Sequence, residues 1–410
     1  MSRERENSFN ERVVDSGSSS KWTRVYTPRQ SLDKDVNVGS MEVVKPLQTN
    51  NFYVPPLSDD LGLLILARAP LLDHAKLCSV NKRYLGLLMS EELYKIRRDN
   101  GVKETLVFFL SSSEPHWWVI NPKTNVRRII PRLPSDFCFQ NSDKESLSVR
   151  NHLLVSGREV QGMVIWRYEL AMNKWFKGPS MINPRCLFAS ANCGDFAYVA
   201  GGLLNGTPKV SNLAEKYNPE SKSWKLLPEM IRCRKLCSGC YMNKKFYAIG
   251  GIDEQGKDLT CGEFYDVEQN TWVLVPDMIK GAPSAYSRSP PLIAVANNEL
   301  YWLDSVTNQL KVYLKKNNSW KVLGEAPIRA NHSTGWGVAF KSLGDELIVM
   351  GSTLEDYPTG QAGMMMFMCC PDPGANDLQW RHVGDDKLQR VGTNNSFPSA
   401  FIFNCAVMIA

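Results

Sequence analysis

Much that a chain of 410 residues could carry is missing here. No apolar run approaches the roughly 18 residues needed to cross a bilayer. The longest, 61–75 and 401–410, are short and interrupted. Met1-Ser2-Arg3-Glu4-Arg5-Glu6 has no apolar core, so no secretory leader is expected. There is no block of basic residues, and a net charge of +6 is mild over this length. Neither nucleic acid nor membrane is expected as a partner. Gly-x-Ser-x-Gly, Walker and dinucleotide motifs are absent. The five histidines, at 74, 116, 152, 332 and 382, are too scattered for an oxidase metal centre. Catalytic residues, cofactors and metals are therefore not expected. Eleven cysteines, odd in number and dispersed, fit free thiols in a reducing compartment, the nucleus or cytoplasm. Cys233, Cys237 and Cys240 resemble a fragment of a metal motif. With no second pair and no nearby histidine, they read better as small buried strand residues.

What is present falls into three regions. Residues 1–50 are polar, mixed in charge and without periodicity, and read as a disordered tail. Residues 52–99 change character: Ser58-Asp59-Asp60 caps a run of helix formers, Pro70 interrupts it, and two further helical stretches follow. A three-helix domain of about 48 residues cannot bury so many leucines alone, so part of its apolar surface should meet a partner.

From residue 103 onward, short strands alternate with Gly, Pro, Asn and Asp, and the pattern repeats. Tyr168, Tyr217, Tyr265 and Tyr313 each precede a tryptophan by seven residues, at Trp175, Trp224, Trp272 and Trp320. The tryptophans are 49, 48 and 48 residues apart, and Gly201-Gly202 and Gly250-Gly251 end strand-like runs between them. Four strands fit each period. In one unit they are placed at 236–241, 245–250, 263–266 and 271–275. Weaker copies upstream and downstream bring the total to six, at approximately 103–131, 136–179, 185–228, 234–276, 288–324 and 334–384. Six four-stranded sheets packed radially form an all-β propeller with few exposed edges. The first unit lacks an innermost strand, and residues 398–410 are expected to supply it and close the ring.

The glycine pairs and the Tyr-x₆-Trp spacing resemble kelch repeats. Residues 57–98 resemble an F-box, through Leu57, Asp59-Asp60-Leu61, then Leu77-Cys78-Ser79-Val80-Asn81-Lys82-Arg83-Tyr84, then Ser90, Glu91, Leu93 and Tyr94. Ser58 stands where proline is common, and Tyr84 where tryptophan is common. Together the chain is similar to plant F-box/kelch-repeat proteins and, within them, to the SKIP-eleven-like branch. Gly335-Trp336-Gly337-Val338-Ala339-Phe340 and Asn404-Cys405-Ala406-Val407-Met408 are among the stretches that carry the likeness. The resemblance implies a Skp1-like adaptor on the helical domain, a cullin beyond it, and a protein substrate on the ring. The chain itself would be non-catalytic.

On that basis Leu57, Leu61, Ile65, Leu77, Val80, Tyr84, Leu88, Leu93 and Tyr94 are candidates for the adaptor, though a core of three small helices has the same periodicity as an interface. For the substrate, Arg185 and Arg234 lie four residues after Met181 and Met230, and Arg329 occupies the matching place. Repeated arginines on one face would suit carboxylates or phosphates. A structural bond to loop carbonyls is the competing reading. Asn183, Asn331 and His332 share these connections. Two other functions remain open: a binding scaffold outside any ligase, and a sensor whose channel takes a small molecule.

Overall fold

The computed structural model describes residues 58–111, 116–281, 289–331, 335–352, 364–374, 378–383 and 401–410. The expected tail, Leu57 and His332 lie outside them.

The helical region begins with α1 (Asp59–Leu66), whose cap is Ser58 Oγ accepting from Leu61 N at 3.3 Å. Pro70 opens a 3-10 turn, Leu71–Asp73, that leads into α2 (His74–Cys78). The expected third helix is in fact two, α3 (Lys82–Leu88) and α4 (Glu91–Asp99). Asn81 and Ser90 explain the division. Each accepts a backbone N–H from its own new helix, from Tyr84 at 2.8 Å and from Leu93 at 3.3 Å. Gly62 lets α1 and α3 approach closely, since a Cβ there would sit 3.1 Å from Leu87.

Six four-stranded antiparallel sheets follow. Blade 1 joins Ile402–Ile409 to Thr105–Ser111, Trp118–Asn121 and Val126–Ile129. Blades 2 to 6 begin with the innermost strands Glu145–Val149, Ala189–Asn192, Ser238–Met242, Leu292–Ala296 and Ala339–Ser342. Each innermost strand touches the next, and the sixth touches the first, so the ring is closed. The late strand pairs along the whole of Thr105–Ser111, as the missing first strand required. Polar side chains join neighbouring innermost strands at the ring axis. Ser146 Oγ meets Asn404 Oδ1, Ser148 Oγ donates to Val407 O, and Asn192 Nδ2 donates to Ser148 O at 2.7 Å.

The repeat signature has a physical reading. Each tryptophan indole N–H donates to a carbonyl in the connection leading from the preceding blade: Trp175 to Pro131 (2.7 Å), Trp224 to Pro179 (3.0 Å), Trp272 to Pro228 (2.8 Å) and Trp320 to Met278 (2.8 Å). Its tyrosine lies opposite on the neighbouring strand, with ring centroids 5.2–5.6 Å apart. The spacing of seven therefore stitches one blade to the next. At Gly202, φ is +98° and a Cβ would lie 2.4 Å from Cys186 O, so only glycine fits the strand end there. Cys237 and Cys240 are buried at the start of blade 4, where burial pushes their thiols up to about 11 and about 12.

Candidate functional site: an apolar helical face and the mouth of the ring

The helical domain has a small core made of Leu63, Leu66, Ala67, Leu88 and Leu93. Two adaptor candidates are therefore corrected: Leu88 and Leu93 are fully buried inside the domain and cannot meet a partner. Leu77 and Tyr84 are half-buried against the same core. Tyr94 is half-buried between this core and that of blades 1 and 2. The others emerge. Leu61 is 44% exposed, Ile65 51% and Val80 61%. Leu64 and Met89, which the sequence reading passed over, are exposed as well. Leu64 was accessible to the same logic, being three residues from Leu61 and so on the same face of α1. One side of α1 thus packs inward while Leu61, Leu64 and Ile65 form an uncovered apolar stripe.

The domain is fastened to the ring face where the innermost strands end. Ala410 follows the end of the blade 1 innermost strand, and its backbone exchanges bonds of 2.9 and 3.1 Å with Glu104. Asp195, beyond the end of the blade 3 innermost strand, pairs with Arg98 of α4 at 3.2 Å.

The opposite face holds a cavity of about 880 Å³. The beginnings of all six innermost strands line it, among them Glu145, Ser190, Ser238, Leu292, Ala339 and Phe403. Phe403 and Trp336 are partly exposed at the cavity, and the Phe401 and Phe403 rings lie 5.4 Å apart. Burial pushes the Glu145 carboxyl up to about 7. The Leu187 N–H opposes that rise, Asp143 adds to it, and Lys341 works against it.

The repeated arginines are not on this surface, which corrects the substrate assignment of Arg185 and Arg234. Both side chains are fully buried. Arg234 Nη2 pairs with Glu263 Oε1 at 2.5 Å, and its Nη1 donates to Gly250 O at 2.8 Å and Cys261 O at 3.2 Å. Arg185 pairs likewise with Glu215 and donates to Leu213 O at 2.6 Å and Asn183 O at 3.0 Å. The glutamates in turn accept backbone N–H groups of the same connections. Glu263 takes Ile231 N (2.6 Å) and Arg232 N (3.0 Å), and Glu215 takes Ile182 N (2.8 Å) and Asn183 N (3.0 Å). Arginine and glutamate staple each connection onto the third strand of its blade. The glutamates were legible but missed: each stands two residues before a repeat tyrosine, at Glu215–Tyr217 and Glu263–Tyr265. Asn183 is half-buried in the first staple, whereas Arg329 and Asn331 are exposed on the connection into blade 6.

The Kelch motif matches residues 184–231 and 233–279, the two segments that contain these staples. An F-box/kelch-repeat protein of Arabidopsis thaliana is 46% identical over 361 residues, covering 87% of this chain and 83% of that protein. A second from the same plant is 36% identical over 365 residues, covering 87% and 83%. The Arabidopsis thaliana F-box/kelch-repeat protein SKIP11 is 38% identical over 359 residues, covering 85% and 73%. A solved structure of YjhT shares the propeller fold at 12% identity and a TM-score of 0.50, covering 68% of this chain and 94% of its own.

Proposed function

Because the chain belongs to the F-box/kelch-repeat family, we propose that it is the substrate-recognition subunit of a Skp1–cullin–F-box ubiquitin ligase. The uncovered stripe Leu61, Leu64, Ile65, with Val80 and Met89, takes the Skp1-like adaptor, through which a cullin is reached. The observation that carries this reading is the stripe itself. A domain that buries Leu88 and Leu93 completely leaves three apolar residues of one helix face in water, a pattern that fits a docking face. The cavity face of the ring takes the target protein, and Arg329 and Asn331, exposed on the connection into blade 6, are its candidate contacts. Ubiquitin transfer is carried out by the partners, in the nucleus or cytoplasm.

Titrating purified chain with a plant Skp1-like adaptor tests this. Wild type binds, and Leu61→Ala with Ile65→Ala binds at least tenfold more weakly with an unchanged unfolding midpoint. Equal affinity of both proteins removes the stripe from the interface. A second reading, a receptor whose capture of its target is tuned by a small molecule, draws on the cavity volume, which lies within the range of ligand pockets.

A further inference from the structure

Only residues 100–103 separate α4 from Glu104, the residue before the first strand of the ring. Glu104 works in both directions. Its backbone continues the ladder of the closing strand by bonding Ala410. Its carboxylate gathers three donors from elsewhere: Leu71 N of the 3-10 turn at 2.7 Å, Asn121 Nδ2 of blade 1 at 2.9 Å, and Arg97 Nη2 of α4 at 3.3 Å. Arg97 is almost wholly buried, and its Nη1 reaches Ala67 O (2.8 Å) and Ala69 O (2.9 Å) just beyond α1. Arg128 of blade 1 donates to Leu72 O at 2.9 Å and to Tyr168 Oη at 3.1 Å. Leu71 and Leu72 share one apolar cluster with Phe108, Tyr168 and Trp175.

These ties come from two places in the helical domain, the 3-10 turn and α4, and Arg97 joins α4 to the end of α1. They land on blades 1, 2 and 3, the last through Arg98 and Asp195. A single tie would leave a hinge. Ties from both the turn and α4, reaching Glu104 and Arg128 by blade 1 and Asp195 by blade 3, hold the helices at more than one point. Glu104 is common to the end of α1, through Arg97, the turn and α4, and it is covalently next to the ring. Its charge matters because Arg97 is buried and needs a counter-ion.

We propose that Glu104 is a positioning residue that sets the orientation of the adaptor-binding helices on the ring. It thereby sets the direction from which ubiquitin reaches a lysine. This rests on the ligase reading above. Replacing Glu104 keeps both binding surfaces and loosens only their relation. A merely stabilising residue would lower the unfolding midpoint and leave the geometry of the surviving folded molecules alone.

The test uses the full chain as wild type, Glu104→Gln, and Arg97→Lys, which keeps the charge and cannot span both carbonyls and the carboxylate. Genetically encoded labels at the exposed positions Lys76 and Lys257 report the distance distribution between helices and cavity face. Reconstitution with a Skp1-like adaptor, a cullin and a ubiquitin-charging enzyme reports which of the chain's own lysines become modified. Both variants should bind the adaptor within twofold of wild type, broaden the distance distribution at least twofold, and spread modification from a few lysines to many. The dominant site should slow at least fivefold. Variants that fold, with distances and lysine pattern matching wild type, overturn the proposal and leave the ligase reading standing. Wild type that transfers no ubiquitin overturns the ligase reading, and the distance widths still decide the joint. If Glu104→Gln does not fold, Arg97→Lys decides by the same two readouts.

Discussion

Replacing Arg234 with alanine separates a staple from a binding residue. The guanidinium is fully buried, bonded to Glu263 and to two carbonyls in the connection of its own blade. Its removal leaves Gly250 O and Cys261 O without that donor and strips the buried Glu263 carboxylate of its counter-ion. The Ile231 and Arg232 N–H groups remain to Glu263 and soften the loss. Breaking one partner of a buried pair costs about 3–5 kcal/mol, and in a ring of this size that lowers the unfolding midpoint by about 5–10 °C. Replacing both partners by apolar residues of similar volume, Arg234→Met with Glu263→Leu, should recover much of the loss, because no charge is then left buried alone. The assay is calorimetry on Arg234→Ala, and on Arg234→Met, Glu263→Leu and their double read as a cycle. The reasoning is refuted if Arg234→Ala melts with wild type and nevertheless loses a bound target, for then the arginine reaches the target after all. Loss of target binding in an Arg185→Ala, Arg234→Ala variant is uninformative unless the midpoint is measured beside it.

Deleting residues 402–410 should unfold the ring rather than trim it, visible as loss of the cooperative transition and susceptibility to protease; a truncated chain with a wild-type melt would refute closure by this strand. Gly202→Ala should cost about 2 kcal/mol or more, from its positive φ and the carbonyl in the way; an unchanged midpoint would show that the strand end can rearrange. Burial raises the folded pKa of Glu145 from the ordinary carboxyl value of about 4.5 to about 7. Between these pH values the folded state holds a proton that the unfolded state has lost, so the stability it contributes is complete below about 4.5 and is lost as pH rises through 7. The chain should therefore melt lower at pH 8 than at pH 5 on this account, by up to about 3 kcal/mol, and Glu145→Gln should flatten that difference. Parallel profiles for the two proteins would rule it out.

The sequence showed the ring more clearly than the site, for a physical reason. Tyr-x₆-Trp survives in four units because in each the indole N–H must find a carbonyl of the connection from the preceding blade, and that constraint leaves a period. The closing strand could be placed because the first unit visibly lacked a partner for Thr105–Ser111. The division of α3 from α4 was missed at Ser90, since a capping serine looks like any helical surface residue until its hydroxyl is seen accepting Leu93 N. Arg185 and Arg234 misled for a related reason. Repetition shows that a position is constrained, and a charge held inside by a glutamate is as constrained as one offered to a partner. The glutamate that would have settled it sits about 30 residues away, on another strand. Leu88 and Leu93 show the same ambiguity, because a small core and a docking face share one helical spacing.

Closure by a late strand also has a consequence in time. Thr105–Ser111 is made early, and its partner Ile402–Ile409 follows 291 residues later (from 111 to 402). At ordinary rates of synthesis that is a delay of about 15–60 s. Throughout it the first strand carries an open edge, with Val107 and Phe109 facing a space that Ile402 and Cys405 will fill. Ala410, the backbone partner of Glu104, arrives at the very end of the same interval. A nascent chain of this protein therefore spends most of its synthesis with a sticky, unpaired edge beside its helical domain. It should depend on chaperones bound during translation more than a sheet whose neighbours follow one another in sequence.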